Sequence, residues 1–265
     1  MTVARRYRDP EFTLEIDNAV LDLQLARRSV RRFGPRAVTD PELDAIVAAA
    51  QSAPTSSNLQ PWSVVAVRDP ERRARLAALA GHQRFIEQAP LFLVWIVDLG
   101  RARRVAHRAG AALDAADYLE TTLIGFVDTA LAAQNAVVAI ESLGLGSVFV
   151  GAVRNRPEEV AQELGLPAHT VAAFGLAVGE PDRTERADVK PRLPQPAVLH
   201  RETYRADAAD RHIAVYDERL AAYNRDFGLD GSWTDRVLAR LAGPQAMAGR
   251  HTLRAGLERR GLPSA

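Results

Sequence analysis

Four arginines and a serine share the seven residues RRSVRRF at 27–33. Guanidinium forks match phosphate oxygens and a serine hydroxyl adds a neutral donor, so such a segment can gather around a phosphate ester. Read alone, it is equally a solvated basic helix end. A second cationic group, DVKPRLP at 188–194, sets Lys190 and Arg192 on either side of Pro191. Of the 34 lysines and arginines, Lys190 is the only lysine. Pro191 stiffens the backbone between the two cations, and an ammonium is a compact point charge where a guanidinium is broad. Chance retention of one lysine is the plain alternative.

Two further stretches can meet a ligand. APTSSNLQPW, 53–62, concentrates Thr55, Ser57 and Asn58 between two prolines ahead of an apolar run. At the mouth of a pocket these groups would hold a flat polar molecule; equally, they are ordinary turn formers. LGLGSVFVG, 143–151, places Gly144, Gly146 and Gly151 after a helical pattern and into a strand. A dinucleotide fingerprint needs the opposite order, so a Rossmann reading is rejected. What remains is Gly151 at a strand end, where bare backbone can offer its N–H.

Other chemistries are excluded. With no cysteine, thiol nucleophiles, thiolate metal sites and disulfides are absent, which fits a reducing cytoplasm. The six histidines, at 82, 107, 169, 200, 212 and 251, show no metal-ligand spacing, so no metal is expected. Neither a P-loop nor a G-x-S-x-G elbow occurs. A net charge of +1 gives no field that calls for nucleic acid, and RARRVAHR at 101–108 reads as solvated basic surface. LFLVWIV at 91–97 is too short to span a membrane, and the N-terminus lacks the apolar core of a secretion signal.

The elements that must position these residues alternate helix and strand. Periodicity predicts an amphipathic helix over 11–27 ending in Arg27 and Arg28, then a helix from Thr39 or Asp40 to the loop at 53–61. Strands are expected at 62–67, 91–97, 146–151 and 171–179, with 91–97 buried in mid-sheet. A short helix is expected near 70–80, one long buried helix over 114–143, and a capped helix in RPEEVAQELGL. The proline-rich 180–199 carries no periodicity, and helices resume at about 208–224, 233–242 and 247–260. With no repeat and no long linker, the reading is one α+β domain over 1–265, its core at about 25–200 and a helical extension at about 205–262.

RRSVRRF, APTSSNLQPW, DTALAAQNAVVAIESLGLGSVFVGAVRN, AAFGLAVGEP and DVKPRLP, in that order, resemble the flavin-bound, oxygen-insensitive nitroreductases. The subgroup most similar carries a KPR motif and includes the NADPH-linked flavin reductases that supply bacterial luciferase. The resemblance covers roughly 25–260. It implies a nitroreductase-like fold, a mainly antiparallel sheet flanked by helices, and a homodimer whose composite sites each hold FMN, with the long helix at the interface. It implies that Arg27, Arg28, Ser29, Lys190 and Arg192 surround the FMN phosphate. Arg31 and Gln83 would face the pyrimidine side and Thr55 would bond nearby. Phe149, Val150, Gly151 and Ala152 would pass the flavin, Gly151 giving its N–H to N5, while Ser57 and Asn58 would sit at the substrate mouth.

Two departures accompany the resemblance. The arginine-rich loop of NADPH-selective relatives is here RDFGLDGSW, 225–233, which keeps Arg225 alone. The family's early histidine is Arg27, a cation of another shape. Arg250 corresponds to a substrate-capping arginine. The implied activity is ping-pong hydride transfer from NAD(P)H to nitroaromatics, quinones or flavins. Its alternatives are a dedicated flavin reductase serving a monooxygenase partner and a non-catalytic FMN-binding protein.

Overall fold

The structure is a computed structural model that describes residues 2–263. The chain begins with α1 (Thr2–Tyr7), α2 (Ala19–Ala26) and α3 (Asp40–Gln51), and continues through β1 (Trp62–Val67), α4 (Pro70–Leu79), α5 (Arg84–Gln88) and β2 (Leu91–Asp98). Next come α6 (Gly100–Ala109), α7 (Leu119–Ser142), β3 (Gly146–Val150), α8 (Pro157–Glu163) and β4 (Thr170–Gly179). The last helices are α9 (Ala206–Asp210), α10 (Ile213–Asp226), α11 (Trp233–Leu241) and α12 (Leu253–Arg259). These elements form two compact units. One contains residues up to Arg28 together with Arg186–Met247; the other contains Ser29–Glu185 and the chain from Ala248 onward.

The larger unit is built on a four-stranded antiparallel sheet, order β1-β2-β4-β3. β2 is central and wholly buried, as its unbroken apolar run requires. Its side chains alternate between two cores. Leu91, Leu93 and Trp95 join Ile46 of α3 and Ala132, Ala136 and Ile140 of α7. Phe92, Val94 and Ile96 join Leu76 of α4, Ile86 of α5 and Val160 of α8. Gly175 of β4 accommodates the Phe92 ring, since a Cβ there would lie 2.2 Å from Phe92 Cζ. α12 and the turn after it bring Leu257 and Leu262 against Val97, Leu99 and Val171.

Thr39 caps α3 through a capping box, accepting from Glu42 N at 3.4 Å while Glu42 accepts from Thr39 N at 2.8 Å. The Arg36 guanidinium and these cap bonds lower the Glu42 carboxyl from an ordinary 4.5 to about 2.

In the smaller unit, Tyr216, Leu220 and Tyr223 of α10 pack with Leu193, Phe227 and Trp233. Its N-terminal part differs from the periodicity reading. The helix expected over 11–27 starts only at Ala19, where Asn18 Oδ1 accepts from Val20 N and Leu21 N, both at 3.0 Å. Before it, residues 9–12 form turns on Asp9, and α1 precedes them.

The long helix differs too. Asp114–Asp117 is a 3₁₀ turn, extended Tyr118 interrupts the chain, and α7 begins at Leu119. α7 is also buried on one face only. Leu119, Leu123, Val127 and Leu131, four residues apart, are 40–55% exposed. With mean hydropathy 1.6, α7 is long and apolar enough to cross a bilayer, yet its other face packs into the sheet core. Gly125 permits close packing there, because a Cβ would lie 2.5 Å from Val97 Cγ1.

α8 has Pro157 at its first turn but no side-chain cap. The helix expected at 208–224 is split into α9 and α10, and that expected at 247–260 contracts to α12 behind a 3₁₀ turn at Arg250–Thr252.

Candidate functional site

The smaller unit collects four of the expected phosphate cations on two segments. Arg27 is the C-cap of α2, its N–H reaching Gln24 O at 3.4 Å, and Arg28 follows it. Lys190 and Arg192 lie on a stretch without regular structure, so its backbone polar groups need partners from elsewhere. Tyr223 Oη donates to Asp188 O at 3.0 Å and Tyr216 Oη to Pro191 O at 3.1 Å. α10 thereby fixes the segment carbonyl by carbonyl. Burial raises the Tyr216 phenol above its ordinary value, which keeps it a donor.

The Lys190 ammonium stands 5.7 Å from the Tyr223 ring centroid. Asp188, the acid nearest in sequence, is ion-paired with Arg5, so the positive field of the segment is less offset. One Arg192 guanidinium nitrogen turns back onto Lys190 O and Pro191 O, both at 3.2 Å, and a pair of cations on such a braced backbone suits a phosphate dianion. Arg225 is exposed on the last turn of α10.

The larger unit places Ser29 and Phe33 in single β-bridges, to Ser147 and Pro181, with Val30 N donating to Ser147 O at 3.0 Å. RRSVRRF is therefore no helix end beyond Arg27. Arg31 is exposed and its N–H donates to Glu185 Oε1 at 2.9 Å. Strand alternation sends Val148 and Val150 into the core and leaves Phe149 36% exposed, edge-on to Phe174. Val150 can thus offer a ligand only its backbone, a restriction its sequence position did not reveal.

Three turns meet at Asn155. It ends the turn that begins with Gly151 and Ala152. A Cβ at Gly81, two residues before Gln83, would lie 3.7 Å from Asn155 Nδ2, and one at Gly249, next to Arg250, would lie 3.4 Å from Asn155 O. Gln83, Gly151 and Arg250 are therefore borne on adjacent turns. Gly151 also has a packing role, since the Arg154 guanidinium would meet a Cβ there at 3.1 Å.

The polar loop is held in an unusual backbone shape. Ser57, Asn58 and Gln60 have φ of 47°, 54° and 50°, the left-handed region that costs a non-glycine residue roughly 1 kcal/mol or more. Two groups hold it there. Asp128, buried in α7, accepts from Thr55 Oγ1 at 2.6 Å and Ser56 N at 3.0 Å, while Thr55 Oγ1 accepts from Gln60 N at 2.9 Å. Arg101 donates to Gln60 O at 2.9 Å and Ser63 Oγ at 2.9 Å. The Thr55 hydroxyl thus shapes the loop that presents Ser57 and Asn58, and Arg101, expected as solvated surface, secures the other end.

Asp128 is not singled out by the sequence: α7 also carries Glu120 and Glu141, and nothing local marks which acid reaches the loop. Asp128→Asn, which keeps one acceptor oxygen for two donors, is expected to cost about 1 kcal/mol in urea unfolding and to quicken amide exchange at Ser56.

The nitroreductase family matches residues 25–180, and the C-terminal domain of that family matches residues 190–265. FMN reductase (NADPH) of Bacillus subtilis (strain 168) is 37% identical over 229 residues, covering 83% of this chain and 90% of that protein. Oxygen-insensitive NADPH nitroreductase of Salmonella typhimurium is 38% identical over 220 residues, covering 82% and 88%. The solved structure of B. megaterium NfrA2 has a TM-score of 0.89 at 37% identity, covering 94% of this chain and all of that one.

Proposed function

Because this chain belongs to the nitroreductase family, we propose that it is an FMN-dependent oxidoreductase carrying hydride from NAD(P)H to nitroaromatic, quinone or flavin acceptors. The observation that carries the reading is the braced cation segment around Lys190. Around the lone lysine, the carbonyls of Asp188, Lys190 and Pro191 each accept a hydrogen bond from a side chain.

FMN bound there would supply two-electron hydride chemistry between the nicotinamide and an acceptor. The chain supplies binding, orientation and charge. Arg27, Arg28, Ser29, Lys190 and Arg192 take the phosphate. Arg31 and Gln83 would answer negative charge on the pyrimidine side, and the Gly151 N–H would serve as the donor to N5. Ser57 and Asn58, on the loop shaped by Thr55 and Asp128, meet the acceptor, with Arg225 and Arg250 as further substrate contacts. No acid–base pair is needed, in keeping with a sequence that presents none.

The same reading makes the protein a cytoplasmic homodimer joined through the exposed stripe of α7, a single nitroreductase-like domain over 1–265 in domain terms. The name of the Bacillus relative, FMN reductase (NADPH), favours one specialisation, reduction of free flavin. Anaerobic titration of the FMN-loaded protein tests the proposal. NADH or NADPH is expected to bleach the flavin, and a nitro compound or quinone to restore its colour. Initial rates are expected to give the parallel double-reciprocal lines of a ping-pong enzyme. A flavin that neither nicotinamide bleaches makes the protein a binder, while turnover confined to free flavin selects the dedicated reductase.

A further inference from the structure

α1 precedes both matched segments of the family, 25–180 and 190–265, yet one of its residues reaches into each. Arg6 is only 6% exposed. Its guanidinium donates from Nε to Leu25 O at 3.0 Å, from one terminal nitrogen to Lys190 O at 2.9 Å, and from the other to Arg27 O. Its own carbonyl accepts from Arg192 N at 3.1 Å. One residue thus ties the end of α2 to the KPR segment through four hydrogen bonds. Arginine suits this task because its planar fork presents several donors in fixed directions, where an ammonium reaches fewer acceptors without such directionality.

The supports around Arg6 point the same way. Arg5, its neighbour, pairs with Asp188, and Arg219 of α10 donates to Tyr7 O at 3.2 Å and to Asp9 at 2.7 Å. The short helix is therefore anchored on both sides of Arg6. A helix of six residues has little stability of its own, so its order depends on such tertiary bonds.

We propose that Arg6 is a positioning residue for the phosphate-binding cations: without touching the ligand, it sets the spacing between Arg27 and the Lys190–Arg192 pair. The inference rests on the reading that those cations hold the FMN phosphate. Charge-assisted bonds depend steeply on geometry, so cations released to wander bind a dianion less well even though none has been removed. The N-terminal segment would then serve flavin affinity from outside the family's matched core.

The test compares two flavins on apo-protein. FMN carries the phosphate and riboflavin does not, and each binding is followed by quenching of flavin fluorescence. Arg6→Met is expected to raise the FMN dissociation constant about tenfold and leave riboflavin within twofold of wild type, with Arg6→Lys between. Equal weakening of both flavins marks general structural damage and overturns the proposal, as does unchanged FMN binding. Lys190→Ala in parallel separates the two levels: if it too leaves FMN affinity unchanged, the phosphate reading itself fails. Should Arg6→Met not fold, Arg6→Lys carries the same discrimination, with an expected threefold loss for FMN alone.

Discussion

Lys190→Ala is expected to raise the FMN dissociation constant about 30-fold, equivalent to about 2 kcal/mol, at low ionic strength. The magnitude is that of one charge-assisted contact to an anion, since the neighbouring cations remain. The loss should shrink as salt is added, because screening weakens the contact in wild type and leaves nothing to weaken in the variant. Riboflavin binding should hardly move. Lys190→Arg tests shape rather than charge. Arg8 already lies over the Tyr223 ring, its Cζ 5.5 Å from the centroid, and the Lys190 ammonium stands 5.7 Å from the same centroid. A guanidinium at 190 would need more room beside that ring, so Lys190→Arg is expected to restore only part of the affinity. Fluorescence titration of apo-protein at two salt concentrations reads each outcome. Full affinity in Lys190→Ala would remove the observation on which the functional reading rests.

The sheet was legible because its signal is local. LFLVWIV announces a strand buried on both faces, and Thr39 or Asp40 announces a helix start; both signals are complete within a few residues of the chain. The family motifs were legible for the same reason. What escaped depends on partners far apart. Arg6 meets Lys190 across 184 positions through a backbone carbonyl, a contact no side-chain pattern records. Asp128 meets Thr55 across 73 positions. α1 is too short for periodicity to detect, and the reading over 11–27 credited to a helix a stretch in which Leu14 and Ile16 recur at two, the spacing of extended chain. α7 failed differently. Its apolar residues run around the cylinder, so the pattern declared it buried without saying which face meets the sheet and which stays exposed.

That exposed face gives the other large expected effect. Leu119, Leu123, Val127 and Leu131 form a stripe along α7, each 40–55% exposed, with no polar side chain among the four. A second copy related by a two-fold axis would bury the stripe against itself, and any substitution would then enter the interface twice. Burying the exposed half of one such side chain contributes about 0.8–1.5 kcal/mol, so losing it on both sides costs roughly 1.5–3 kcal/mol. Two glutamates facing each other add repulsion. Val127→Glu is therefore expected to raise the dimer dissociation constant at least a hundredfold, converting the protein to monomer at micromolar concentration in light scattering or sedimentation. Its fold should persist, because the opposite face of α7, with Ala132, Ala133, Ala136 and Ile140, is untouched in the sheet core. If each flavin site draws on both subunits, FMN should leave as the dimer separates, and added FMN should shift the variant back toward dimer by mass action. A wild-type chain that is already monomeric at high concentration, with FMN bound, would show that the stripe serves something other than self-association and would detach flavin binding from assembly.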